Sequence, residues 1–140
     1  MMNLSEHLCF KTYAVSRYIT SLYKPFLDEI SLTYPQYLVM VVLWENGSMN
    51  ISKIGKFLHL DNGTLTPLLK RMEQTGFLMR VRSSSDERIV QISLTEKGTK
   101  LRKKANHIPQ AVQACVGISN EKSAQLLSGL NEIIDNSKTK

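Results

Sequence analysis

Between His59 and Phe77 the sequence admits little other than one helix with both ends marked. Asp61 is suited to the N-cap, because its carboxylate can accept from a first-turn N–H. Gly76 is suited to the position just past the C-terminus, where a positive φ costs glycine nothing. Between them Leu65, Leu68, Leu69 and Met72 recur at i, i+3, i+4 and i+7, which makes one face apolar. The opposite face carries Gly63, Pro67, Lys70 and Gln74, flanked by Thr64, Thr66 and Arg71. Small hydroxyl residues thus lie toward its start and cations toward its end, a surface that a long acidic polymer can approach. Gly63 and Pro67 are both costly inside a helix. They read equally well as a kink near an exposed helix start or as a surface shaped to a groove.

The neighbours of this helix define its use. Asn50 caps a short helix, Ile51 to Leu58, with Ile51, Ile54, Phe57 and Leu58 expected inward. His59-Leu60-Asp61 joins it tightly to the next helix, and two helices so joined make a helix-turn-helix. Two strand-like runs follow, Phe77 to Arg82 and Arg88 to Leu94, with Ser83-Ser84-Ser85-Asp86-Glu87 as a polar tip. A hairpin directly after a reading helix is the wing of a winged helix.

Upstream, residues from about Leu4 to Ile30 read as a long helix with Ser5 as N-cap. Thr33 caps the next helix, with Pro35 in its first turn, where the missing N–H is harmless. Tyr37 to Trp44 makes that helix strongly buried. Downstream, Thr95 caps a helix that His107-Ile108-Pro109 interrupts and Ala111 to Cys115 continues. Ser119 caps a last helix to about Asp135, and the tail Asn136 to Lys140 is expected to fray. The fold class is therefore mainly α with a small β-wing: one domain holding a winged helix-turn-helix at about 33–95. The flanking segments at about 4–30 and 96–135 carry more apolar surface than a lone winged helix needs, so they read as dimerisation helices. A two-fold dimer presents two reading helices to successive major grooves of a pseudo-palindromic double-stranded DNA site.

The bulk numbers agree. With 140 residues, 42% hydrophobic and 21% charged, the chain can bury a real core. A net charge of +6 favours an acidic partner, nucleic acid first. No stretch suits a membrane span and no signal peptide is visible, so a cytoplasmic location is expected. Cys9 and Cys115 are too few and too far apart for a disulfide framework or a zinc pattern. No cofactor loop and no catalytic constellation appears, and His7, His59 and His107 are scattered; neither an enzyme nor a metal site is expected.

Several runs carry a family resemblance: Leu8-Cys9-Phe10, Tyr23-Lys24-Pro25, Leu32 to Tyr37, Leu60 to Glu73 and Asp86-Glu87-Arg88. In these the chain resembles the MarR family of winged-helix regulators, and within it the organic-peroxide sensors of the OhrR type, over nearly its whole length. Asn62 departs from the Ser usual there. The resemblance implies a transcriptional repressor. The DNA-contacting set expected from residues and resemblance together is Asp61, Asn62, Thr64, Thr66, Lys70, Arg71, Arg80, Arg82, Asp86 and Arg88. Arg80 and Arg82 are expected on the backbone. Arg88, of an Asp-x-Arg pair with Asp86, is expected in the minor groove, where narrow A·T tracts attract arginine. Any one of these cations is as readily a solvated surface charge; as a set they cluster on one reading unit.

The resemblance also implies a redox role for Cys9. A thiolate attacks a peroxide oxygen, so Cys9 needs neighbours that favour negative charge. Tyr13 shares its helix face. By resemblance, Tyr23 and Tyr34 of the other subunit would bond the sulfur among apolar side chains that suit organic hydroperoxides. Cys115 would be the resolving thiol that condenses with the Cys9 sulfenic acid across the dimer. Four readings stay open beside this one: a one-cysteine sensor forming mixed disulfides, a MarR-type repressor released by a small phenolic ligand, a thiol peroxidase or disulfide enzyme, and a nonspecific architectural DNA binder.

Overall fold

The helix starts are fixed by side-chain caps, and these set where each element lies. The computed structural model describes residues 3–139. At the N-terminus the Asn3 side chain accepts from both the Ser5 N–H (3.2 Å) and the Ser5 hydroxyl (2.7 Å). Those bonds close a 3-10 turn, Leu4–Glu6. The chain is extended at His7, and α1 runs Leu8–Glu29 with no side-chain cap. The expected single helix from Leu4 capped by Ser5 is thus corrected: Ser5 is spent inside the turn. Only Leu27 of α1 is buried, while Leu8, Phe10, Tyr13, Val15 and Tyr18 are exposed.

The C-terminus of α1 closes by bonds from the Leu32 N–H to the Leu27 carbonyl and from Ser31 to Asp28, with Ser31 left-handed at φ 57°. Helix α2, Tyr34–Asn46, then opens on a complete capping box. Thr33 Oγ1 accepts from the Gln36 N–H (3.4 Å), and Gln36 Oε1 accepts from the Thr33 N–H (3.0 Å). Pro35 sits in its first turn as expected.

A two-residue strand, β1 (Met49–Asn50), leads into α3 (Ile51–Leu58), whose first turn is capped by Asn50 on the Lys53 N–H at 2.8 Å. Gly55 lets the next turn close over α3, since a Cβ there would stand 2.5 Å from the Leu60 carbonyl oxygen. Helix α4, Asn62–Gln74, follows. Strands β2 (Leu78–Arg82) and β3 (Val90–Leu94) complete an antiparallel sheet of order β1-β3-β2, with Met49 opposite Ile92 and Leu78 opposite Leu94. The sequence showed the hairpin but not β1.

Ile54, Leu65, Leu69, Met72, Leu78 and Ile92 are fully buried and hold α3, α4 and the sheet on one core with Met40 and Leu43 of α2. Leu68 is only half-buried. Phe57 corrects its expectation: it is 53% exposed, and it lies about 160° around α3 from the buried Gly55.

Helix α5, Glu96–Ala105, is stitched to the end of α4. The Thr95 hydroxyl donates to the Gly76 carbonyl at 2.6 Å and accepts from the Gly98 N–H at 3.0 Å. Lys97 Nζ donates to the Thr75 carbonyl at 2.8 Å. The chain divides into two compact units, the first ending at Ile108 and the second starting at Pro109. Helix α6 spans Ile108–Val116, with a break at Asn106-His107, and α7 spans Asn120–Lys138. The tail expected to fray is helical to Lys138; Lys140 lies outside the described residues. On α7, Leu126, Leu127, Ile133 and Ile134 are exposed.

Candidate nucleic-acid interface

Asp61 accepts from the Thr64 N–H at 2.7 Å and so fixes the start of α4. That backbone bond, with the Thr64 hydroxyl and the Gly63 N–H, holds the Asp61 carboxyl below the usual carboxylate range. Its folded pKa is lowered, so the cap is at full strength above the usual carboxylate range and is lost as the pH falls from there through the lowered value. Asp61 therefore shapes the interface rather than adding a donor to it. Asn62 Nδ2 reaches Ser52 Oγ of α3 at 3.4 Å, which ties the two helices of the motif at their exposed edge. Thr66 donates its hydroxyl to the Asn62 carbonyl at 2.7 Å. Thr64, Pro67, Lys70 and Arg71 are exposed, and among the described residues neither Lys70 nor Arg71 is in an ion pair. The far end closes as expected on Gly76 at φ 80°, with the Phe77 N–H on the Met72 carbonyl at 3.1 Å.

The wing separates its three arginines by role. Arg80 is committed to Glu73 of α4: Nε lies 3.0 Å from Oε2, and the Arg80 backbone N–H donates to Oε1 at 3.2 Å. Its side chain is 23% exposed. The guanidinium and the edge N–H together keep the Glu73 carboxyl low. Arg80 is thus a brace between α4 and β2. Arg82 donates to the Glu87 carbonyl at 3.2 Å and stays exposed. At the tip Asp86 Oδ1 accepts from the Arg88 N–H at 3.0 Å and lies 3.6 Å from Arg88 Nε. The Ile89 N–H bonds the Asp86 carbonyl and the Ser83 N–H bonds the Ile89 carbonyl. Asp86 organises the tip, and the Arg88 side chain, 95% exposed, projects from it.

The redox candidates fall into three places. Cys9 is the second residue of α1 and is exposed. Tyr13 lies one turn on, also exposed, with the Arg17 guanidinium 5.5 Å from its ring centre. Tyr23 and Tyr34 meet with ring centroids 4.9 Å apart, both half-buried. Burial raises both phenols, with Tyr34 adding to the effect on Tyr23. Cys9 and Tyr23 are fourteen residues apart on one helix. At ~1.5 Å rise per residue that is about 21 Å. The Cys9 sulfur of a chain therefore does not meet that chain's own Tyr23–Tyr34 pair. Cys115 is exposed near the end of α6, and both thiols are free. Beside Tyr34 opens a cleft of about 530 Å³, whose lining includes Arg17, Lys24 and Leu32.

Two contributors escaped the sequence reading. One is Glu73, whose partner lies across a turn. The other is Tyr37, read only as core, although its i, i+3 spacing from Tyr34 places the two on one helix face.

The family model for the transcriptional regulators SarA/Rot matches residues 21–105. The chain belongs to the MarR/SarA family of winged-helix transcriptional regulators. This regulator is 48% identical to the organic hydroperoxide resistance transcriptional regulator of Bacillus subtilis over 134 residues, 96% of this chain and 91% of that one. It is also similar to AbfR, a protein of Staphylococcus epidermidis. Against reduced AbfR bound to DNA the TM-score is 0.79 at 34% identity, covering 95% of this chain and 93% of that one. Against disulfide-formed AbfR it is 0.67 at 36% identity, covering 94% and 92%. The Bacillus subtilis relative is a transcriptional regulator, and AbfR is seen bound to DNA. No described helix is long and apolar enough to cross a membrane, and the described residues hold no cluster of His, Cys, Asp and Glu fit for a metal ion.

Proposed function

We propose that this regulator is a redox-sensing DNA-binding repressor, released from its operator when organic hydroperoxide oxidises Cys9. The observation that carries the proposal is the Tyr23–Tyr34 ring pair, about 21 Å along α1 from the only cysteine of that helix. A second copy supplies the missing sulfur. The exposed apolar faces of α1 and α7 suit a homodimer built from about 4–30 and 96–135, with the reading unit at about 33–95. Cys9 thiolate attacks the peroxide oxygen, giving the alcohol and a sulfenic acid. The Cys115 thiol of the partner chain then condenses with it to a disulfide and water. That bridge moves the terminal helices, and the two reading helices no longer match successive major grooves. What supports this reading is that a relative, AbfR, is known both reduced on DNA and in a disulfide form.

On DNA, Thr64, Asn62, Lys70 and Arg71 meet the major groove and its phosphates, and Arg82 and Arg88 serve the wing. Lys70→Ala is expected to lower the slope of log affinity against log salt by about 0.9, as one lost phosphate contact does. Arg80→Ala leaves that slope unchanged, since its charge is bound to Glu73; an equal drop in both variants restores Arg80 to the phosphate set.

The deciding experiment is an operator gel shift with reduced and cumene-hydroperoxide-treated protein, beside non-reducing electrophoresis. The expected result is release together with a covalent dimer, both reversed by dithiothreitol, with the covalent dimer absent in Cys115→Ser. Release without any covalent dimer points instead to a one-cysteine sensor. No release at all overturns peroxide sensing and leaves the cleft beside Tyr34 as the place to test small phenols.

A further inference from the structure

Tyr37 has no part in the reading above, which needs only the hydroxyls of Tyr23 and Tyr34. Yet it is the most buried tyrosine of the three, 4% exposed, where the other two are half open. Its ring centroid lies 5.6 Å from Tyr23 and 6.4 Å from Tyr34. It therefore closes a triangle whose third side is the 4.9 Å contact between those two. The interplanar angles, 44°, 36° and 56°, keep all three pairs out of the face-to-face sandwich that aromatic quadrupoles disfavour.

Tyr37 is itself held from behind. Trp44, two turns along α2, meets it edge-on at 6.4 Å. The Trp44 indole N–H donates to the Gly98 carbonyl at 2.9 Å, and Arg102 donates to the Trp44 carbonyl at 2.9 Å. The ring behind the pair is thus anchored to α5, while Tyr23 arrives on α1 and Tyr34 stands in the first turn of α2. Side chains from two helices keep a common aim only if something fixes the angle between them.

We propose that Tyr37 is a positioning residue of the sensing site: its ring is the wedge that sets the spacing and tilt of Tyr23 and Tyr34, so that both hydroxyls reach one sulfur. This rests on the peroxide-sensing reading and deepens it. The phenols are also kept as donors. Burial first, then the neighbouring Tyr23, Tyr34 and Glu45 charges, push Tyr37 up to about 12, and Tyr23 and Tyr34 are raised as well. At neutral pH all three stay protonated, so the pair can donate toward a thiolate.

The test uses the full-length reduced dimer with Cys115→Ser in the background, so that only Cys9 reacts. Cumene hydroperoxide is the probe, and the rate of sulfenic acid trapping by dimedone is followed against pH. Tyr37→Phe, which keeps the ring, is expected within twofold of the parent. Tyr37→Leu, which removes it, is expected to slow oxidation at least tenfold at neutral pH and to move the pH profile upward. Reduced operator affinity, a readout of folding, stays within threefold in both. Parent rate and pH profile in Tyr37→Leu overturn the proposal, and so does equal slowing in Tyr37→Phe, which would assign the role to the hydroxyl. Should Tyr37→Leu lose operator binding when reduced, Tyr37→Met takes its place; loss in that variant too overturns the wedge in favour of a plain core role. The double variant Tyr23→Phe/Tyr34→Phe separates the two layers. If it oxidises at the parent rate, the sensing reading fails; if it is slow while Tyr37→Leu is fast, only the wedge fails.

Discussion

Cys9→Ser protein is expected to stay on operator DNA at hydroperoxide concentrations that release the parent. The substitution changes one atom at an exposed helix position, so fold and reduced-state affinity should hold within twofold. What it removes is the nucleophile, since a serine hydroxyl does not attack a peroxide oxygen under these conditions. The parent should lose at least tenfold in operator affinity on oxidation, which is about 1.4 kcal/mol of coupling between sulfur and DNA. The surroundings of Cys9 make it the better candidate of the two thiols for first attack. His7 gives α1 no side-chain cap, so the N–H groups of its first turn keep their partial positive charge beside the sulfur. Cys115 lies instead near the end of α6, where carbonyls dominate. A Cys9→Ser variant released as readily as the parent would mean the signal enters elsewhere, and the cleft beside Tyr34 would then be the place to look.

That uncapped start also shows where sequence reading reached its limit. Ser5 has the right chemistry for a cap, but Asn3 reaches it first and turns the chain into a 3-10 turn. Competition between two polar residues two positions apart is decided by geometry, not by type. The caps without a rival, Thr33, Asn50, Asp61, Thr95 and Ser119, were all legible and all form. Helix α4 was legible for the same reason, since its pattern, cap and glycine stop are all local. Strand β1 was not, because two residues have no period of their own; only Ile92 and Gln91, some forty residues on, make them a strand. The candidate site divides in the same way. Lys70, Arg71 and Arg88 could be placed from helix and hairpin periodicity. Arg80 could not, because its fate depends on Glu73 arriving across the turn at Gly76. The tyrosine triangle depends on how α1 returns against α2 through the left-handed Ser31, which no spacing rule foresees.

Arg88→Ala should weaken operator binding at least tenfold, the largest loss of any single wing substitution. Two observations set it apart from its neighbours. Arg80 spends its charge on Glu73, and Arg82 is tethered to the Glu87 carbonyl. Arg88 alone of the three combines near-complete exposure with a backbone fixed by Asp86, at 3.0 Å on its N–H. A cation on an ordered tip loses less entropy on entering a groove than one on a mobile loop. A narrow A·T minor groove concentrates negative potential where such a side chain would sit. Two further outcomes follow from this geometry. The loss should be greater on operators with A·T flanks than on the same half-sites with G·C flanks, because groove width sets the potential. Asp86→Ala should produce a smaller loss of the same kind, since it frees the tip without removing the charge. Fluorescence anisotropy at physiological salt measures all three. Arg88→Ala binding within twofold of the parent would remove Arg88 from the interface and leave recognition to α4.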